Sequence, residues 1–327
     1  MTSRTVRAAC AALTLFACLA ASAAQPVYKI EPLKNQDGMR PRYPNTINNH
    51  GVVMGSAQDL TNRYSYKVFL YDQGQLTFLE GSDSARAQDF NDAGDVLVQV
   101  PLTPAIFWHD GRYQEVPKMS LVYRFNNQGV MAGNADFGSE THAAIWDHGT
   151  ITDLGTLGGP YASATDVSDN GVVVGESTIH PNNWDKHHAF IWANGEMKDL
   201  GTFGGGTSYA YVVNNLGHVL GSAEDENNVF TPFFYDGVKK RRLPAIGSAT
   251  LSPNDMNNVD EIAGSSSVGA FISTQGRSYL LMNLLDASRE GWDRLDNIVS
   301  INDTGDVTGT GYFHGNRKAF VARRLGH

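Results

Sequence analysis

The chain has 327 residues, with 25 Lys and Arg against 34 Asp and Glu, and is 41% hydrophobic and 10% aromatic. A net charge of −9, with no basic stripe interleaved with aromatics, excludes nucleic acid as an expected partner. The only two cysteines are Cys10 and Cys18, so the rest of the chain has no disulfide, thiolate metal site or cysteine nucleophile.

In chain order, residues 1–24 read as a secretory signal peptide. Arg4 and Arg7 give a positive start, residues 8–21 an apolar stretch, and Ala21-Ser22-Ala23-Ala24 a small-residue cleavage region. The stretch falls short of the roughly 20 residues a membrane helix needs, and no later run suffices, so no membrane span is expected. Leu15-Phe16-Ala17 puts a bulky ring ahead of Cys18, which argues against acylation there. Both cysteines belong to the leader, and the remainder of the chain carries 23 basic and 34 acidic residues, a net charge of −11. Residues 25–327 show no linker or low-complexity stretch. We expect one secreted or periplasmic domain, acting as a monomer.

From residue 46 onward one unit recurs: a short apolar strand, an Asn/Asp pair, a glycine, then a second strand. The anchor glycines, or the residue in their place, are Gly51, Gly94, Gly129, Gly171, Gly217, Asp260 and Gly305, spaced 43, 35, 42, 46, 43 and 45 residues apart. Asn, Asp and Gly suit the positive φ of tight hairpins. A further glycine stands four residues after the anchor in every unit but one, where Val98 replaces it. Glycine within a strand costs stability, so its recurrence predicts a close backbone approach, which we expect near a crowded axis. A third, aromatic strand comes next, as in Val68-Phe69-Leu70-Tyr71 or Phe233-Phe234-Tyr235, and then a fourth that alternates polar and apolar residues.

Four short strands at this period specify an all-β, seven-bladed β-propeller. Its ends complement each other: Val27–Leu33 is a fourth strand with no blade before it, and residues 297–325 supply three strands and stop. Pairing them closes the seventh blade and removes the open edge. The short second unit and the tail at residues 280–293 leave six blades with a decorated end as the alternative.

His188-Ala189-Phe190-Ile191-Trp192, together with Asp199-Leu200-Gly201-Thr202-Phe203-Gly204-Gly205, resembles the bacterial extracellular HAF-repeat family. Ala144-Ile145-Trp146 with Asp153-Leu154-Gly155-Thr156-Leu157-Gly158-Gly159 is similar, while the other five units lack the Asp-Leu-Gly-Thr stretch. The resemblance implies a secreted bacterial repeat protein and brings no catalytic residues.

By analogy with propellers, the loops entering the first and third strands open on one face around the central channel. The register puts Arg42, Tyr43, Arg86, Gln88, Tyr123, Arg124, Tyr161, Tyr209 and Tyr211 there before first strands. Tyr66, Lys67, His142, His187, His188, Arg317 and Lys318 come before third strands, and Trp184 sits on the long insertion at residues 177–187. Tyrosine suits stacking on a sugar ring, and arginine suits a carboxylate or sulfate. We therefore expect a binding module for a glycan, an acidic one included, or for another exported protein. The alternative is a polysaccharide lyase in which Arg124 or Arg86 neutralises a uronate and His187, His188, Tyr209 or Tyr211 removes the α-proton. Nucleophile-elbow, phosphate-loop and zinc-protease motifs are absent. His180, Asp185 and His187 match no ligand spacing, so neither metal nor cofactor is expected.

Overall fold

A computed structural model describes residues 25–99, 105–109, 111–116 and 119–326; the expected leader lies outside these. Seven four-stranded antiparallel sheets are arrayed as blades, each running outward in chain order except the last. The innermost strands of blades 1 to 7 are Met39–Ile47, Arg86–Phe90, Leu121–Phe125, Ala162–Val167, Gly204–Val213, Leu251–Met256 and Trp292–Ile301. Blade 7 continues through Val307–Phe313 and Asn316–Leu325 and is completed by Val27–Pro32, which pairs antiparallel with the C-terminal strand from Val27↔Leu325 to Pro32↔Phe320. The first and last described strands thus share one sheet.

The tail that left six blades open has a different job. Leu281–Leu284 and Ala287–Arg289 form 3-10 turns alongside the N-terminal strand. The Ile30 amide donates to the Ser288 hydroxyl (2.8 Å), and the Asp286 amide donates to the Tyr28 carbonyl (2.9 Å). The tail covers the outer edge that this strand would otherwise present to a second chain.

The core lies between blades rather than within one. Each of seven apolar clusters combines two neighbouring sheets; Val174 and Ala189 of blade 4, for example, pack with Val213, Val219 and Phe233 of blade 5. The third-strand aromatics Phe69, Phe190, Phe233, Phe271 and Phe320 are fully buried there. Burying a Phe side chain contributes about 2–3 kcal/mol, so the interfaces hold the ring together.

The recurrent mid-strand glycine has a local cause. Every innermost strand carries a β-bulge, and in six blades the glycine pairs beside it, as in Val122↔Gly133 with Arg124↔Ala132 next to it. A Cβ on Gly133 would lie 1.9 Å from the Leu121 carbonyl oxygen, and one on Gly175 2.0 Å from that of Ser163. The crowding is therefore between first and second strands of one blade, not at the axis. At the anchor where glycine is missing, Asp260 itself takes a φ of +64°.

Candidate functional site

The channel has two unlike ends. At one end lie the turns between first and second strands, where each blade contributes four residues to a cavity of about 170 Å³. The first residue of each Asn/Asp pair does two things. Asn48, Asn126, Asn214 and Asn257 accept through Oδ1 from amides two and four residues ahead, holding the turn. Through Nδ2 they donate to the carbonyl of the equivalent residue one blade on, as do Asn91 and Asn302, at 2.9–3.3 Å. An amide has both donor and acceptor, which a carboxylate lacks. Ser168 is too short for the second task, and Asn170 instead donates to the Asn215 carbonyl (2.9 Å).

The second residue of the pair closes a complete circle. The backbone amides of Asn49, Asp92, Asn127, Asp169, Asn215, Asn258 and Asp303 each donate to the side-chain oxygen of the next blade's counterpart, at 2.7–2.9 Å. The last bond runs from Asp303 to Asn49 and so joins the seam. Side-chain amides flank each carboxylate: Asn49 and Asn127 donate to Asp92, Asn127 and Asn215 to Asp169. At this end no buried side-chain polar atom lacks a hydrogen-bond partner among the described residues.

Just inside, buried carboxylates cap backbone amides that follow the bulges of the next blade. Asp89 accepts from Phe125 (3.0 Å), Asp166 from Val213 (2.8 Å) and Asp255 from Ile301 (3.0 Å). Arg124 occupies the same ring, 3.7 Å from Asp255, with a third of its side chain open to the channel. Burial opposes its charge, yet Asp255, Asp166 and Asp89 hold its pKa above the ordinary value. Burial pushes Asp166 up to about 6 and raises Asp89 as well, against the pull of Arg124. Arg124 is therefore not at the mouth where the register put it, and its charge is already shared among three carboxylates.

The opposite end carries the remaining candidates in two groups. Around blades 1 and 2, the Arg42 guanidinium lies 5.4 Å from the Tyr43 ring, Tyr43 lies 6.1 Å from Tyr66, and Arg86 lies 4.8 Å from Tyr66. Around blades 4 and 5, His187 sits between Tyr161 (5.8 Å) and Tyr209 (6.1 Å), and Tyr209 stacks on Phe230 (5.7 Å). The His187 ring donates through Nε2 to the Trp184 carbonyl (2.9 Å), and its Nδ1 lies 3.7 Å from Glu176, whose pKa burial raises. Tyr211 bonds Ser222 and lines, with Tyr209, Phe230 and Pro232, a groove of about 600 Å³. Burial raises the pKa of Tyr161, Tyr209 and Tyr211, so their hydroxyls stay protonated. The insertion at residues 177–187 is a continuation of a hairpin, with Thr178↔His187 and His180↔Asn183 paired, and it holds Trp184 60% exposed. Tyr43 and Tyr123 are 38% and 37% exposed. Gln88 instead donates to the Val122 and Tyr123 carbonyls of the next blade.

His188 stands apart from His187. Its Nδ1 lies 2.8 Å from Asp199, which also accepts from the Gly201 amide (2.6 Å). His142 repeats this with Asp153 (2.8 Å) and the Gly155 amide (2.8 Å). Both pairs tie the third strand to the turn after the fourth, which gives the His-Ala and Asp-Leu-Gly segments a packing role. Arg40, which the register overlooked, lies beside Arg42 and completes a cationic cleft with Arg317 and Lys318. No cluster of three or more His, Cys, Asp or Glu suited to a metal occurs among the described residues, and no helix there is long and apolar enough to cross a membrane.

No protein-family model and no curated protein matches the chain. Among solved structures it is similar to the β-propeller domain of the trilobed protease from Pyrococcus furiosus, at 11% identity and a TM-score of 0.58, over 89% of this chain and 99% of that one. It is also similar to the acylaminoacyl peptidase of Pyrococcus horikoshii (11%, 0.55), covering 88% of this chain and 52% of the peptidase. YCF48 bound to D1 peptide matches at 11% and 0.50, over 92% of this chain and 95% of that one. Identities this low carry the fold alone. The P. furiosus domain is described as an open velcro propeller, whereas here strand pairing latches the ring.

Proposed function

We propose that this chain is an exported HAF-repeat propeller that binds an acidic glycan on the face opposite the Asn/Asp turns. The observation that carries this is the Arg42–Tyr43–Tyr66–Arg86 stack. Partly exposed rings offer flat faces to sugars, and the guanidiniums lie beside them with no carboxylate within 4.0 Å among the described residues. Half-exposed Trp184 and Phe230 extend the aromatic surface across the same face. Titration of the mature chain with polygalacturonate oligomers tests the reading. Tyr43→Ala and Arg86→Gln should each weaken binding about tenfold, in line with the stacking and charged contacts they remove. Absence of binding to any acidic or neutral glycan, with an exported protein captured instead on the same face, would replace the glycan with a protein partner.

A second reading rests on His187 between two tyrosines beside Glu176, a grouping suited to proton transfer. It makes the chain a polysaccharide lyase, with His187 as base and the protonated Tyr209 beside it as a proton donor. His188 and Arg124 would not take part, since each already serves a carboxylate. Ultraviolet absorbance from unsaturated products on uronate polymers decides between turnover and binding.

A further inference from the structure

Charge distribution at the seam between blades 7 and 1 singles out one cleft. It measures about 300 Å³ and is lined by Arg40 and Arg42 from the innermost strand of blade 1 and by Arg317 and Lys318 from the third strand of blade 7, together with Asn35, Leu60 and Asn316. No carboxylate lines it, on a chain with nine more acidic than basic residues. None of the four cations has an acidic partner within 4.0 Å among the described residues, although Arg124, Arg241, Arg294, Arg323 and Arg324 all do.

What holds the arginines together is neutral. Buried Gln58 accepts from Arg42 (2.7 Å) and Arg40 (3.2 Å) through one oxygen. Its own amide donates to the Arg63 carbonyl (2.6 Å) and the Tyr66 hydroxyl (3.3 Å), which fixes the oxygen toward the guanidiniums. Both Nε–H groups, of Arg40 and of Arg42, are buried without an acceptor among the described residues. Among the described residues, Arg317 reaches only the Thr310 hydroxyl, at 3.4 Å. Positive groups gathered without a counter-charge repel one another, and buried donors without acceptors cost free energy. An oxyanion in the cleft supplies the missing counter-charge, and the guanidinium edges that line it match its geometry.

We infer that this cleft is an anion site that takes the carboxylate or sulfate of a sugar unit, one end of a binding track that continues over Tyr43, Tyr66 and Arg86. This deepens the glycan reading and rests on it for the sugar, not for the anion. The test is calorimetric titration of the folded protein at low ionic strength with sodium glucuronate, sodium sulfate and neutral glucose. Glucuronate or sulfate should bind saturably and glucose should not. Arg317→Gln, at an exposed position, should lower anion affinity at least fivefold with unchanged unfolding temperature, and Arg42→Gln should lower it further. Anion binding that is absent in the wild type, or undiminished in Arg317→Gln, overturns the site. Anion binding without any binding of uronate oligomers keeps the site and removes the glycan reading; oligomer binding without anion binding does the reverse.

Discussion

The two ends of the channel are made from the same repeat and have opposite character. At the turn end, seven equivalent Asn or Asp residues make seven equivalent hydrogen bonds, and the circle closes through Asp303 and Asn49. One residue before the channel ring, equivalent positions hold Asn45, Gln88, Tyr123, Thr165, Tyr211, Asn254 and Val299, and four of them, Asn45, Gln88, Thr165 and Asn254, still donate to a carbonyl of the next blade. Where each blade must meet the next in the same way, side chains repeat. Toward the mouth, Tyr43, Arg86, Leu121, Ser163 and Tyr209 stand at equivalent places in the strand pairing with unlike side chains, which leaves that end open to face a ligand. The difference assigns ring closure to one end and, on the proposed function, recognition to the other.

Breaking the turn end should have the largest effect. Asn302→Asp puts a buried carboxylate against the Asn48 carbonyl, where Nδ2 now donates at 2.9 Å. A lost donor and an uncompensated buried charge cost about 3–5 kcal/mol, read by urea unfolding. Tyr43→Ala, half-exposed at the mouth, should stay within about 1 kcal/mol of wild type while losing ligand affinity.

The channel carboxylates give a pH signature next in size. Asp166 is pushed up to about 6 in the folded chain, above its unfolded value of 3.8. The folded state therefore binds more protons between these values, so this contribution grows as pH falls from 7 toward 4 and is lost again as pH rises through 6. The shift corresponds to roughly 3 kcal/mol. Asp166→Asn should be more stable than wild type at pH 7 and should flatten that part of the stability profile; a steeper profile would show that Arg124 dominates the site.

Gly133→Ala tests the bulge, since its Cβ would meet the Leu121 oxygen at 1.9 Å. Overpacking of this kind costs about 1–3 kcal/mol in thermal or urea unfolding. The smallest effect should come from Ser168→Asn, which completes the inner circle that Ser168 interrupts and should add up to about 1 kcal/mol.

Much of this architecture was legible in the residues because hairpins demand Asn, Asp and Gly at fixed places, and the split final blade shows itself in unmatched strands at either end. The circle of hydrogen bonds was not, since the same Asn/Asp pair suffices as a turn signal and its bonds run between blades. Arg124 was misplaced for a definite reason. Strand alternation fixes facing only while pairing is regular, and the bulge between Val122 and Arg124 resets it, so Tyr123 and Arg124 cannot be assigned by counting. Arg40 escaped notice because the innermost strand of blade 1, Met39–Ile47, starts earlier relative to its turn than the register assumed.

The most direct test is amide hydrogen exchange with and without polygalacturonate oligomers. Protection should rise in residues 39–43, 64–67, 85–88 and 312–318 and stay unchanged at the Asn/Asp turns. Protection centred on those turns, with the cationic mouth of blades 7, 1 and 2 unaffected, would contradict the division of labour between the two ends.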